Sequence, residues 1–270
     1  MMNMFRMELR NLRKSTIRWT CSVGCIILLM LAFYPSMQTE AMQAITNAKL
    51  DSIDPAVLAA MGLQEIPDFT VISNFFGYVL QFITLALMVF VTQQASSLLI
   101  KEESEGTIEF LYAKPVSRFD IILQKAEAHV LLWVMMNLAL LVVTLTGYLM
   151  FGNLTFLDSL KECLLFYGSI LLIGLLFSAI GLLVSTLMKS VRSSSGVTIG
   201  LVFGTFVVGA TSAVVKELEF LRYFSPMDWI KASKLMRVGL HPEEWAIAAA
   251  IIIICPVLAW LKYRKKDFLI

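Results

Sequence analysis

Apolar and polar positions divide this chain into long blocks. Six apolar blocks cover roughly residues 17–34, 74–100, 121–151, 163–188, 196–215 and 245–261. An α-helix rises about 1.5 Å per residue and the hydrocarbon core of a bilayer is about 30 Å thick, so about 20 apolar residues make one span. Each block is therefore predicted to be a membrane-spanning helix. The second, third and fourth are long enough to tilt or to project from the bilayer. The sixth is short, but Trp245, Trp260 and Tyr263 flank it where interfacial aromatic anchors belong. Arg13, Lys14 and Arg18 precede the first block, and no small-residue cleavage pattern follows it, only Tyr34-Pro35-Ser36-Met37, which predicts an uncleaved anchor.

The segments between the blocks have patterns of their own. In residues 1–16, Phe5, Leu9 and Leu12 share one helical face and Arg6, Arg10 and Arg13 another. That is the pattern of a basic amphipathic helix in the membrane interface, and also of a plain positive flank that fixes topology. Segment 36–73 has Ala41, Ala44, Ile45 and Ala48 at helical spacing, an Asp54-Pro55 helix start and an acidic excess that reads as a solvated face. In 216–244, Ser225-Pro226 breaks the chain, 228–238 is predicted to be a short amphipathic helix, and Gly239 stops it. His241-Pro242-Glu243-Glu244 then opens the sixth span with acid in its first turn, as the helix dipole favours. This segment is expected to pack as a lid on the outer ends of the spans.

Composition sharpens the membrane reading. The chain is 58% hydrophobic and 16% charged, with a mean hydropathy of +0.78, where a soluble domain is about 25% charged. One core of 270 residues cannot hide that excess, so the solvent is lipid, and no nucleic-acid partner is expected. Fifteen of the 22 Lys and Arg fall in the N-terminal segment, in 101–125, at Lys189 and Arg192, and in the tail 262–266. Cytoplasmic segments carry the Lys and Arg excess, so both termini are predicted to be cytoplasmic. Cys21 and Cys25 have neither a zinc nor a redox spacing, and the four cysteines are read as buried inert thiols without a disulfide.

Candidate chemistry within the spans is sparse. Glu127 and His129 lie near the cytoplasmic end of the third span, while Gln81, Gln93, Gln94 and Asn137 are uncharged. Neither H-E-x-x-H nor the phosphate loop G-x-x-x-x-G-K-[ST] occurs. No catalytic centre, metal site or bound cofactor is therefore expected, and any ATP-driven work needs another subunit. Gly196, Gly200 and Gly204 put small residues on one face of the fifth span, and Gly174, Ser178, Gly181 and Ser185 repeat the theme in the fourth. Such faces let helices approach closely, either within the bundle or across a dimer.

Segment 101–125, KEESEGTIEFLYAKPVSRFDIILQK, is the most ordered of the charged ones. Glu102, Glu103, Glu105 and Glu109 lead, Gly106-Thr107 interrupts, and Pro115-Val116-Ser117-Arg118 follows, with Lys101, Lys114, Arg118 and Lys125 nearly balancing the acids. A helix over 101–113 puts Glu102, Glu105 and Glu109 on one face and Ile108, Leu111 and Tyr112 on another, and Pro115 ends it. The run E-S-E-G-T-I-E-F-L, then P-V-S-R and Lys125 seven residues beyond Arg118, resembles the type-2 ABC transporter permease family, the membrane subunits of many prokaryotic exporters. The six-span layout, the basic N-terminus, LRYFSPMDW at 221–229 and the basic tail 262–267 extend the resemblance over essentially the whole chain.

The resemblance implies an all-α integral membrane protein with six transmembrane helices, cytoplasmic termini, an amphipathic N-terminal helix and a cytoplasmic coupling helix between spans 2 and 3. One permease domain would cover 1–270, with 1–16 as that N-terminal helix, 36–73 and 216–244 as outer loops and 101–120 as the coupling segment. The coupling helix, 102–113, would sit in a groove of a separate ATPase. Glu105, Gly106 and Thr107 would form the contact, with Glu102, Ile108, Leu111 and Pro115 in the same element and Arg118 anchoring the adjoining turn. Gly106 would permit close backbone approach. Two copies of a cytosolic ABC ATPase would hold ATP and magnesium, and a second copy or a sister permease would complete the assembly in a prokaryotic cell membrane, among its lipids. The implied function is that of an exporter permease; a membrane scaffold or sensor without a transport path is the alternative.

Overall fold

In lipid, every backbone N–H and C=O must be satisfied within its own segment, which leaves helices as the economical solution for apolar blocks. The computed structural model describes residues 2–40, 54, 68–107, 117–188 and 190–266, and among them there is no strand. The elements are α1 (Met2–Met37), α2 (Ile72–Ser97), α3 (Lys101–Ser104), α4 (Arg118–Phe151), α5 (Phe156–Leu187), α6 (Val191–Val214), a 3₁₀ segment (Lys216–Phe224), α7 (Pro226–Trp229), α8 (Ala232–Val238) and α9 (Pro242–Arg264). Six of these, α1, α2, α4, α5, α6 and α9, are long and apolar enough to cross a membrane. Local chemistry sets their starts. The side chains of Ser117, Thr155 and Ser190 accept from the backbone N–H groups of Asp120, Asp158 and Ser193, each satisfying a donor that a helix N-terminus leaves free. At α9, Pro242 occupies the first turn and Glu244 accepts from the His241 N–H at 2.9 Å.

Residues 2–16 belong to the same helix as the first span, because α1 runs unbroken from Met2 to Met37. At 36 residues it is roughly 54 Å long, well beyond the hydrocarbon core. Its buried stripe, Met4, Glu8, Leu12 and Thr16 and then Val23, Ile27, Leu31 and Tyr34, packs on α4. Arg6, Arg10 and Arg13 are exposed. Cys21 and Cys25 are also exposed, because they fall off this stripe; only Cys163 is buried, and all four cysteines are free. The expectation of four buried thiols thus holds in full for Cys163 alone: Cys255 is half-buried, and Cys21 and Cys25 are exposed.

The core lies on α2 and α5, the most buried spans. α5 packs on α2, α4 and α9, and α6 packs on α2. The small residues of α5 serve this packing. A Cβ at Gly174 would run into the Trp133 ring, and one at Gly181 would meet the Thr92 carbonyl oxygen at 2.7 Å and Ala95 Cβ at 2.9 Å. A Cβ at Gly196, Gly200 or Gly204 of α6 would meet no other element within 4 Å. The buried face of α6 is instead Ser194, Thr198 and Val202, two positions away around the helix. Among the described residues, nothing packs within 4 Å of a Cβ on that glycine stripe.

The single helix expected over 228–238 is divided into α7 and α8, with the Asp228–Lys231 ion pair at the junction. Gly239, at φ +71°, ends α8 as expected. The 3₁₀ segment and α7 pack on α6, α8 packs on α2 and α5, and the buried Trp229 donates to the Arg222 carbonyl at 2.9 Å. Of segment 36–73, the helical alanines and Pro55 lie outside the described residues. Its end is ordered by Asp68, whose carboxylate accepts from the Thr70 N–H at 2.9 Å. Hydrogen bonds from the Thr70 side chain and backbone hold that carboxyl below its usual range.

Candidate functional site

The described start of the charged insert, 101–107, folds back onto the bundle. α2 ends at Ser97 and the four-residue α3 follows at Lys101. α3 stops because Gly106 turns left-handed, at φ +68°. The Thr107 N–H bonds back to the Glu102 carbonyl at 2.8 Å and the Gly106 N–H to that of Glu103 at 3.4 Å, the paired bonds of a Schellman turn. One helix over 102–113 is therefore not what forms. A glycine able to take positive φ at no steric cost ends it after one turn. No atom lies within 4 Å of a Cβ built on Gly106, so the residue is needed for its conformation and not for close approach within the chain.

Behind this turn, Lys125 of α4 is buried with 1% of its side chain exposed. Its ammonium donates to the Leu98 carbonyl at 2.5 Å and to the Glu102 carboxylate, and lies 3.5 Å from Glu8 Oε2 on α1. A buried ammonium is costly unless it is paired and hydrogen-bonded, and Lys125 is both. The Phe5 N–H adds a bond to Gln124 at 3.3 Å. On the other side, Glu103 accepts from Lys266 at 2.5 Å. Arg118 donates to the carbonyls of Tyr263, Arg264 and Lys266 at 3.0, 3.0 and 2.9 Å, so a cation sits on the negative end of the α9 dipole. The start of α1, the insert, the start of α4 and the end of α9 thus form one charged junction.

Deeper in the bundle a polar chain crosses four helices. Gln94 of α2 donates to the Thr16 hydroxyl at 3.2 Å and faces His129 of α4 at 3.0 Å, and the other ring nitrogen of His129 lies 2.9 Å from the Ser178 hydroxyl of α5. Both nitrogens of this histidine are engaged within the protein, which suits packing better than chemistry. Among the described residues no group of His, Cys, Asp and Glu could hold a metal ion.

A family model described as ABC-2 family transporter protein matches residues 2–268. The chain belongs to that family. It is therefore the membrane permease of an ABC transporter, is not itself catalytic, and its family implies an ABC ATPase partner. No curated protein matches it.

The ABC-2 permease distributes its expected coupling residues unevenly. Glu105, Gly106 and Thr107 are exposed. Glu102 points the other way, into Lys125, and does not share a free acidic face. Arg118 holds the end of α9. Ile108, Leu111 and Pro115 lie outside the described residues. Glu8, Glu103, Lys125 and Lys266 complete the junction; Glu103 and Lys125 stand in the insert's charge pattern without an expected contact, and Glu8 and Lys266 were not expected there. One signal for Glu8 was available: it is the single acid in an otherwise basic first segment, on the apolar stripe.

Proposed function

We propose that this permease is an exporter subunit driven by two copies of a separate cytosolic ATPase, paired with a second copy of itself or a sister permease. Its basic end faces the cytosol of a prokaryotic plasma or inner membrane, and both termini lie there. ATP and magnesium belong to the ATPase. Segment 101–120 is the docking element: Glu105, Gly106 and Thr107 touch the ATPase, with Ile108, Leu111 and Pro115 in the same element. ATP-driven closure moves this element, and the membrane dimer changes its access.

The observation that carries the reading is the division of labour within the insert. Glu102 and Glu103 are committed to Lys125 and Lys266, while Glu105, Gly106 and Thr107 stand exposed at a fixed turn. A displacement of that tip acts directly on α4 and the tail of α9, and through Lys125 on α1. The open glycine face of α6 supports a second permease copy there.

Coexpression with the neighbouring genes and purification in detergent tests the partnership: an ABC ATPase is expected to copurify. A permease that brings down none is the scaffold of the alternative reading. Glu105→Arg and Gly106→Trp are expected to uncouple ATP hydrolysis from substrate movement while insertion stays normal. Unchanged transport in both variants rejects the coupling role.

A further inference from the structure

A groove of about 280 Å³ runs between α4, α5 and α9. Its floor is made of small or flat surfaces, Ala126, Ser178 and Ala179, and its rim of the exposed Phe119, Leu123 and Val257. Pro256 lies inside α9 on the wall of this groove. It has no N–H for the Ile252 carbonyl, so the helical ladder opens there, and both residues line the groove.

We propose that this groove binds one acyl chain of an anionic phospholipid from the leaflet at the basic end of the molecule. The inference goes beyond the transport reading and stands without it. Three observations carry it. The first is polarity: away from Trp260 at the mouth, His129 and Ser178 are the groove's polar side chains, and they bond each other and Gln94 and Gly174. The floor therefore has no free donor for a peptide or a polar drug, and it suits hydrocarbon. The second is length. From Phe119 to Val130 on α4 and from Ile252 to Trp260 on α9 the groove extends roughly 12–17 Å, about half the 30 Å hydrocarbon core and hence the depth of one leaflet.

The third is charge at the mouth. Phe119 and Trp260 meet edge-to-face at 6.1 Å, and the Arg264 guanidinium lies over the Trp260 ring at 5.1 Å. Lys265 follows it, exposed. The acids nearby do not cancel these cations. Asp120 is one carboxylate against the two cations Arg264 and Lys265, its Oδ2 accepting from the Ser117 hydroxyl at 2.7 Å, and Glu127 lies about 12 Å further along α4 than Phe119, at the depth of the chain. A headgroup phosphate beside Arg264 with its chain in the groove satisfies both ends. If the basic end is cytoplasmic, this is also the leaflet that carries anionic lipid.

Trp260 reports occupancy directly. The full chain is reconstituted in phosphatidylcholine with increasing amounts of chain-brominated phosphatidylglycerol or chain-brominated phosphatidylcholine, and the Trp260→Phe signal is subtracted. The anionic probe is expected to quench Trp260 saturably at low mole fraction, with the zwitterionic probe needing about fivefold more. Arg264→Gln, at an exposed position, removes that preference, and Ala126→Leu, which fills the floor, abolishes the saturable component. Equal, linear quenching by both lipids would mean ordinary annular contact and overturn the proposal. Retention of the saturable component in Ala126→Leu would place the lipid outside the groove, and overturns it as well.

Discussion

Lys125 is a full charge with almost no solvent, fixed by a carbonyl, a carboxylate and a second carboxylate at ion-pair distance. Desolvating an ammonium is repaid only when all its partners are in place. Lys125→Met is therefore expected to lower stability by about 3–5 kcal/mol, because it leaves Glu8 and Glu102 facing each other without a cation. Adding Glu8→Gln and Glu102→Gln to Lys125→Met is expected to restore most of the loss, since an uncharged cluster has no buried charge to compensate. Thermal melting in detergent, followed by the amount of monodisperse protein, measures both steps. If the single variant melts like the wild type, the cluster is solvated and its pinning role fails. The same residue shows what a sequence conceals. Lys125 is visible at the inner edge of an apolar block, but Glu8 is 117 positions away by residue number, and nothing local indicates that the two share a helix interface.

Among the elements, the spans were legible and their ends were not always so. Lipid demands continuous helices, so six apolar blocks become six helices, and Ser117, Gly239 and the His241-Pro242 start fall where cap chemistry puts them. The insert was misjudged because its charge periodicity suggests a helix through Gly106, whereas a glycine in a Schellman turn stops helices more strongly than i, i+4 patterning continues them. Glycine stripes were ambiguous for a similar reason: spacing marks a face without naming its neighbour. The structure separates the two stripes, and mutation can confirm the separation. Gly181→Leu is expected to cost about 1–3 kcal/mol or prevent folding, because its Cβ meets the Thr92 carbonyl and Ala95. Gly200→Leu and Gly204→Leu together are expected to leave expression and the melting of the single chain unchanged, since both positions are open. If α6 is where two copies meet, the same pair weakens crosslinking between differently tagged copies. A fold lost on Gly200→Leu alone would show that α6 packs differently in the membrane.

At the scale of the whole molecule, the junction makes a topological claim. Glu8 and Glu102 meet Lys125, and Glu103 and Arg118 meet Lys266, so the start of α1, the insert and the end of α9 lie on one side of the membrane whichever side that is. Six spans require the same result, because an even number returns the chain to its starting side. The proposed cytoplasmic side is argued from charge: the N-terminal segment, the insert and the tail hold most of the Lys and Arg, and such residues resist translocation. Single cysteines at Arg10, Glu105 and Lys265 are expected to react with a membrane-impermeant maleimide only after cells are permeabilised, while cysteines at Asn153 and His241 react in intact cells. The background must lack the native cysteines, above all Cys21 and Cys25, which face outward from α1. The two halves of the claim fail separately. If Arg10 and Lys265 report opposite sides, the junction does not exist in the membrane. If all five report the reverse pattern, the junction stands but faces away from ATP, and a cytosolic ATPase could not grip Glu105, Gly106 and Thr107.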